Sequence, residues 1–139
     1  MKVLLDTNII LDFALERQPW FVDSEEIIYL AEQKQITAYI SASTISDIYY
    51  IIRKIKGKEL AWEFLKNIIS ICQVANVDSR VISMALNVNF KDFEDAIQYS
   101  SAVINQLDII VTRNIKDFPV SKPEIFTPSQ FLEEISMNQ

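Results

Sequence analysis

Short continuous apolar runs alternate along the chain with longer stretches in which apolar residues recur every third or fourth position. The short runs predict strands at 2–5, 37–40, 73–77 and 108–111, with a weaker one at 124–126. The periodic stretches predict helices near 8–17, 23–34, 44–56, 58–70, 79–88, 93–106 and 128–135. Ile27, Ile28, Leu30 and Ala31 mark one apolar helical stripe, and Phe93, Ala96, Ile97, Ser100, Ile104 and Leu107 mark another. Gly57 reads as a break between two helices, while Pro19, Pro119 and Pro128 punctuate turns or helix starts. Strand and helix in alternation predict an α/β fold, with a mostly parallel sheet of about five strands covered on both faces.

With 139 residues, 50% of them apolar, the chain has the material of one domain, expected to span 1–139 around a single core. The lone Cys72 cannot form an internal disulfide or a cysteine zinc site; its apolar neighbours predict a buried thiol in a reducing compartment, and cytoplasm is the expected location. No apolar run approaches the ~20 residues that span a bilayer, and the start of the chain reads as a strand rather than a signal peptide. Having no histidine excludes imidazole catalysis and ligation, and a single glycine argues against the multi-glycine phosphate loops of ATP- and NAD-dependent enzymes. A net charge of −6 argues against a protein that coats nucleic acid electrostatically, but not against a nuclease whose carboxylates are partly neutralised by metal. The basic cluster Arg53, Lys54, Lys56 and Lys58 reads first as a solvated helix end complementing the C-terminal dipole, and second as a phosphate contact.

The acids carry the chemistry. Asp6 closes the first predicted strand and opens a helix, which places it at the carboxyl edge where open parallel sheets bind ligands. Each acid also has a capping reading. Asp6 is a possible N-cap, and Thr44-x-x-Asp47 has the spacing of a capping box, shared by Asp92-x-x-Asp95 and Asn114-x-x-Asp117. Convergence at one edge is what capping alone does not require. Two carboxylates about 4 Å apart repel by roughly 4 kcal/mol at an effective dielectric near 20, which a bound cation reverses. A hard ion such as Mg²⁺ takes oxygen ligands, usually one or two carboxylates with waters and a substrate phosphate.

At this point the chain resembles a known family. Val3-Leu4-Leu5-Asp6-Thr7-Asn8, Ser41-x-x-Thr44-x-x-Asp47, Asp92-Phe93-Glu94-Asp95-Ala96 and Ile110-Val111-Thr112-Arg113-Asn114 look, in order, like the successive motifs of PIN domains, especially the VapC-type toxin ribonucleases of toxin–antitoxin modules. The resemblance implies a three-layer α/β/α domain whose acids bind Mg²⁺ or Mn²⁺ and hydrolyse RNA phosphodiesters. By motif, Asp6, Asp47 and Asp95 match the catalytic, metal-holding acids, and Thr7, Asn8 and Thr112 the polar residues that support them. The chain departs from the common pattern with Asp47 where many members have Glu, and with Asn114 where many have an acid. Asp92 or Asp117 can compensate; Asp92 is preferred as the added metal ligand, because Phe118 and Pro119 suggest that the segment of Asp117 leaves the pocket. Glu94 reads as a solvated first-turn acid, and Arg113 and Lys116 as residues that position the RNA backbone.

The resemblance further implies a homodimer and a small antitoxin partner. A weakened PIN-like module that binds RNA or protein without cutting is the alternative, motivated by Asn114. A phosphatase with an aspartyl nucleophile fits less well, since Asn8 stands where Asp-x-Asp needs its second acid. Tyr49 and Tyr50, adjacent on one predicted helix, project about 100° apart, so one is expected to face outward.

Overall fold

The structure is a computed structural model that describes residues 1–138. Its strands are β1 (Lys2–Leu5), β2 (Thr37–Ser41), β3 (Gln73–Ala75), β4 (Ile109–Val111) and β5 (Glu124–Phe126). The helices are α1 (Thr7–Ala14), α2 (Phe21–Glu32), α3 (Ile45–Lys56), α4 (Lys58–Ile71), α5 (Ser79–Asn87), α6 (Phe93–Ile104) and α7 (Pro128–Met137), with single 3-10 turns at Ala42–Thr44 and Ile115–Asp117.

All neighbouring strands pair in parallel, in the order β3-β2-β1-β4-β5. The chain runs outward from β1 to β3, then returns to the other side of β1 to form β4 and β5. The switch in direction opens a crevice between β1 and β4 at the carboxyl edge, the position where such sheets bind ligands.

Strand alternation explains the layers. Val3, Leu5, Ala38, Ile40, Ile109 and Val111 point to one face and form a core with Ile9, Ile27, Ile48, Ile68 and Phe131 of the surrounding helices. Leu4 and Ile110 point the other way, against Ala102, Leu107 and Phe118 under α6. Val81 and Ala85 of α5 then pack on Ala96 and Ile97 of α6. Each fully buried Leu or Ile contributes roughly 1.5–3 kcal/mol by leaving water. The result is the three-layer α/β/α arrangement expected from the sequence.

Most boundaries fall within two residues of expectation, and three departures have a visible cause. Helix α1 stops at Ala14 rather than 17, because Glu16 turns to φ 51° and the Arg17 amide donates back to the Asp12 carbonyl at 3.0 Å. Pro19, two residues on, further disfavours a helical approach. Strand β3 stops at Ala75 rather than 77, since the Asn76 carbonyl accepts from Ser101 Oγ (2.8 Å) and Asn105 Nδ2 (3.1 Å) instead of joining a ladder. The Thr44-x-x-Asp47 capping box does not form: Thr44 Oγ1 donates to the Ser41 carbonyl at 3.0 Å and makes no cap bond.

Other expectations hold. Helix α3 ends on Arg53, Lys54 and Lys56 before Gly57, whose φ of 94° suits glycine, and Lys56 Nζ donates to the Ala14 carbonyl at 3.1 Å, closing the end of α1. Tyr49 packs against the core while Tyr50 faces outward. Cys72 is buried, and burial pushes its thiol up to about 12. Among the described residues, no helix is long and apolar enough to cross a membrane.

Candidate active site

Asp6 occupies the floor of the crevice. Its amide donates to the Val111 carbonyl at 3.0 Å, which ties the end of β1 to the end of β4. Four donors surround its carboxylate: the Thr7 amide (2.7 Å) and Gln98 Nε2 (3.0 Å) on Oδ1, with Thr112 Oγ1 (2.8 Å) and Asn8 Nδ2 (3.4 Å) on Oδ2. Asp6 is thus both the N-cap of α1 and a buried, fixed acid at the sheet edge. Thr112 Oγ1 in turn accepts from the Asn114 amide at 3.1 Å, so the loop after β4 is built around this carboxylate. Thr7 Oγ1, Asn8 Oδ1 and Gln98 Oε1 are buried without a hydrogen-bond partner. They are oxygen acceptors beside an acid, in a place where water or a cation satisfies such atoms.

The first turn of α6 supplies the facing acids. Asp92 caps the helix, accepting from the Asp95 amide at 3.0 Å. Burial pushes the Asp95 carboxyl up to about 7, helped by the like charges of Asp6, Asp92, Asp117 and Glu94. Glu94 is also raised, first by burial, then by the charges of Asp47, Asp92 and Asp6 and a hydrogen bond with Asp47. Asp6 and Asp95 therefore feel each other directly, and Asp47, exposed on the first turn of α3, joins them through Glu94. The reading of Glu94 as merely a solvated acid is corrected: it is half-buried and links two of the predicted acids.

Asp117 also needs correction. Its turn does not leave the crevice, because the neighbouring Phe118 is buried (2% exposed) and anchors the segment under α6 while Asp117 acts on Asp95. Asn114 and Lys116 are exposed on the same loop. Among the described residues, no three acids stand close enough to share one ion without adjustment.

Arg113 points elsewhere, giving its guanidinium a partner inside the fold. Its Nε lies 3.0 Å from Oδ2 of Asp12, which is fully buried in α1, and Arg17 Nη1 approaches the other oxygen at 3.9 Å. The angle at Nε is too bent for a hydrogen bond, so the contact is an ion pair. Burial raises the Asp12 carboxyl, and the two arginines oppose that rise. The guanidinium also stacks over Trp20, 3.9 Å from the ring centroid.

Two residues escaped the sequence reading, and a third was misread. Gln98 lies one turn after Asp95, a polar residue inside an apolar stripe, and that oddity was its available signal. Asp12 interrupts Ile9-Ile10-Leu11 and Phe13-Ala14, and an acid so placed requires a buried partner. Glu94 carried no signal separate from that of its neighbours.

Parallel strands sandwiched by helices, with carboxylates gathered at the switch point, define an α/β protein with an acidic site at its sheet edge. The PIN domain family matches residues 2–116, and the chain belongs to it. It is similar to Ribonuclease VapC1 of Aquifex aeolicus (strain VF5), 29% identical over 137 residues that cover 95% of this chain and 94% of the relative. VapBC2 from Rickettsia felis, solved bound to a DNA fragment from its promoter, shares the fold with a TM-score of 0.69 at 22% identity, covering 91% of this chain and 97% of that one. A toxin–antitoxin complex from Klebsiella pneumoniae matches with a TM-score of 0.69 at 21% identity, over 91% and 97% of the two chains.

Proposed function

We propose that this protein is a divalent-metal-dependent endoribonuclease, the toxin of a toxin–antitoxin module, acting in the cytoplasm as a single domain. The observation that carries the reading is Asp95, half-buried at the switch point and held near 7 by burial first and then by the charges of Asp6, Asp92, Asp117 and Glu94. An acid kept from ionising by burial and by the like charges around it suits a cation site better than a packing role. Membership of the PIN domain family and similarity to a named ribonuclease support the reaction class. The toxin–antitoxin complex among the structural relatives supports a small antitoxin as partner, and a homodimer is proposed with it.

The donor set fits Mg²⁺ or Mn²⁺. It is all oxygen, and such an ion needs only one or two carboxylates beside waters and a substrate phosphate. Asp6 and Asp95 would hold it, with Asp92 and Asp47 completing its surroundings. When bound, the ion supplies a water of lowered pKa and stabilises charge on the phosphate. Thr7, Asn8, Thr112 and Gln98 fix the orientation of Asp6, and Asn114 and Asp117 border the same opening. Lys116, exposed beside them, would meet the RNA backbone, whereas Arg113, ion-paired with Asp12, has little charge left to join it.

Purified protein is expected to cleave RNA with Mg²⁺ or Mn²⁺ and to stop with EDTA. Asp6→Ala should lower the rate by about 10³-fold or more, the scale of losing a central electrostatic group, while circular dichroism stays native. Cleavage that persists in that variant would remove Asp6 from the chemistry.

A further inference from the structure

A cleft of about 290 Å³ lies between the start of α2 and the start of α7, lined by Trp20, Asp23, Arg113, Thr127 and Pro128 among others. It shares Arg113 with the loop that begins at Thr112, the residue whose hydroxyl holds Asp6. The cleft and the acidic crevice are therefore neighbours on one sheet edge, joined by a single residue step. Its volume is near the lower end of the ~300–1,000 Å³ of small-ligand sites, room for one planar heterocycle.

The lining chemistry narrows the occupant. Arg113 is already ion-paired with buried Asp12 at 3.0 Å, and Asp23 adds a carboxylate to the wall. A second phosphate would thus meet little free positive charge and one negative group. A nucleobase is uncharged and has two π faces. Trp20 is 40% exposed, and the guanidinium stacked 3.9 Å from its ring centroid fixes the indole plane. Exposure of one aromatic ring is ordinary; an exposed ring held in orientation by a buried ion pair is a preformed stacking platform.

We infer that this cleft is a base-binding subsite for single-stranded RNA, in which an unstacked base next to the bond being cut lies against the Trp20–Arg113 pair and Asp23 accepts hydrogen bonds from its amino edge. The inference rests on the ribonuclease reading and names the form of its substrate. An unpaired base leaves its stack and enters at the least cost, which favours a single strand. Guanine, adenine and cytosine present exocyclic amino donors to a carboxylate, whereas uracil offers only its ring N3–H, flanked by two carbonyl oxygens that a carboxylate repels. The subsite therefore disfavours uracil.

The test uses the full chain carrying Asp6→Asn to stop cleavage and Trp62→Phe to leave Trp20 as its one indole, since the sequence has two tryptophans. With Mg²⁺ present, single-stranded uridine hexamers with one central base replaced by G, A or C are titrated while Trp20 emission and the anisotropy of end-labelled RNA are followed in parallel samples. Saturable quenching is expected, with at least about fivefold tighter binding for an amino-bearing base than for all-uridine RNA. In the otherwise wild-type enzyme, Trp20→Leu should raise KM about tenfold, as for loss of one base stack, with kcat nearly kept. Asp23→Asn should preserve quenching and erase the base preference.

RNA that binds by anisotropy yet leaves Trp20 emission unchanged would overturn the subsite alone, as would an unaltered KM in a folded Trp20→Leu protein. A wild-type chain that neither binds nor cuts RNA would overturn the ribonuclease reading, and the subsite with it.

Discussion

Asp12 shows how a residue with no catalytic role can decide whether a site stands. It is fully buried in α1, yet its partners Arg113 and Arg17 come from the loop after β4 and the turn after α1. Removing one member of a buried pair leaves the other charge uncompensated, which costs far more than the pair contributes. Asp12→Ala is therefore expected to lower stability by about 3 kcal/mol in urea unfolding, and replacing Asp12 and Arg113 together by leucine should recover much of that loss. Equal stability of the Asp12→Ala and wild-type chains would show that Arg113 is satisfied by Trp20 and solvent. The position of Asp12 among isoleucines and leucine was legible in the sequence as an anomaly; its partners were not, because 100 residues separate Asp12 from Arg113 and no local pattern reports such a pairing. The same holds for Gln98, whose amide reaches Asp6 across 92 positions. Asp6 and Asp95 could be singled out because their place relative to a strand end or a helix start is local information, whereas their mutual approach is not.

At the scale of elements, local rules and the observed chain agree wherever burial and backbone chemistry pull the same way. The strands of a parallel sheet covered on both faces read as apolar runs, and the helices between them as stripes, so all five strands and all seven α-helices of the described residues were visible in the sequence. Disagreement came where a polar group chose another partner, as when Thr44 bonded Ser41 rather than capping α3. That choice leaves Asp47 without a capping duty. Asp92, by contrast, has two: its side chain caps α6, and its charge raises Asp95 and Glu94. Substitution can separate them. Asparagine caps nearly as well as aspartate, so Asp92→Asn should keep stability while lowering the Asp95 pKa, whereas Asp92→Ala should lose about 1 kcal/mol of stability as well. Thermal unfolding gives the first quantity and carboxyl titration by NMR the second. If both variants lost stability equally, the hydrogen bond to the Asp95 amide would not be what starts this helix.

For the whole molecule, the consequence is a folded state that holds its own acids under tension in the absence of a cation. The Asp95 carboxyl titrates near 7 when folded, against 3.8 ordinarily, so the folded chain binds a proton that the unfolded chain releases. Stability from that proton is complete below about pH 4 and is lost as pH rises through 7. Glu94 and Asp12 shift in the same direction. Asp78 shifts the opposite way, lowered by its bond to the Val81 amide, but its effect falls below its ordinary value and outside this window. Metal-free protein should therefore melt lower at pH 8 than at pH 5, by roughly 3 °C after allowing for the solvent that still reaches Asp95. Millimolar Mg²⁺ or Mn²⁺ should raise the melting temperature at pH 8 and do little at pH 5, where the proton already occupies the carboxyl a cation would take. Asp95→Asn removes the titrating group, so it should flatten the decline and abolish the response to metal together. A variant that kept the full slope would place the pH sensitivity on another raised acid such as Glu94 or Asp12, and one that kept the metal response would remove Asp95 from the proposed ligands.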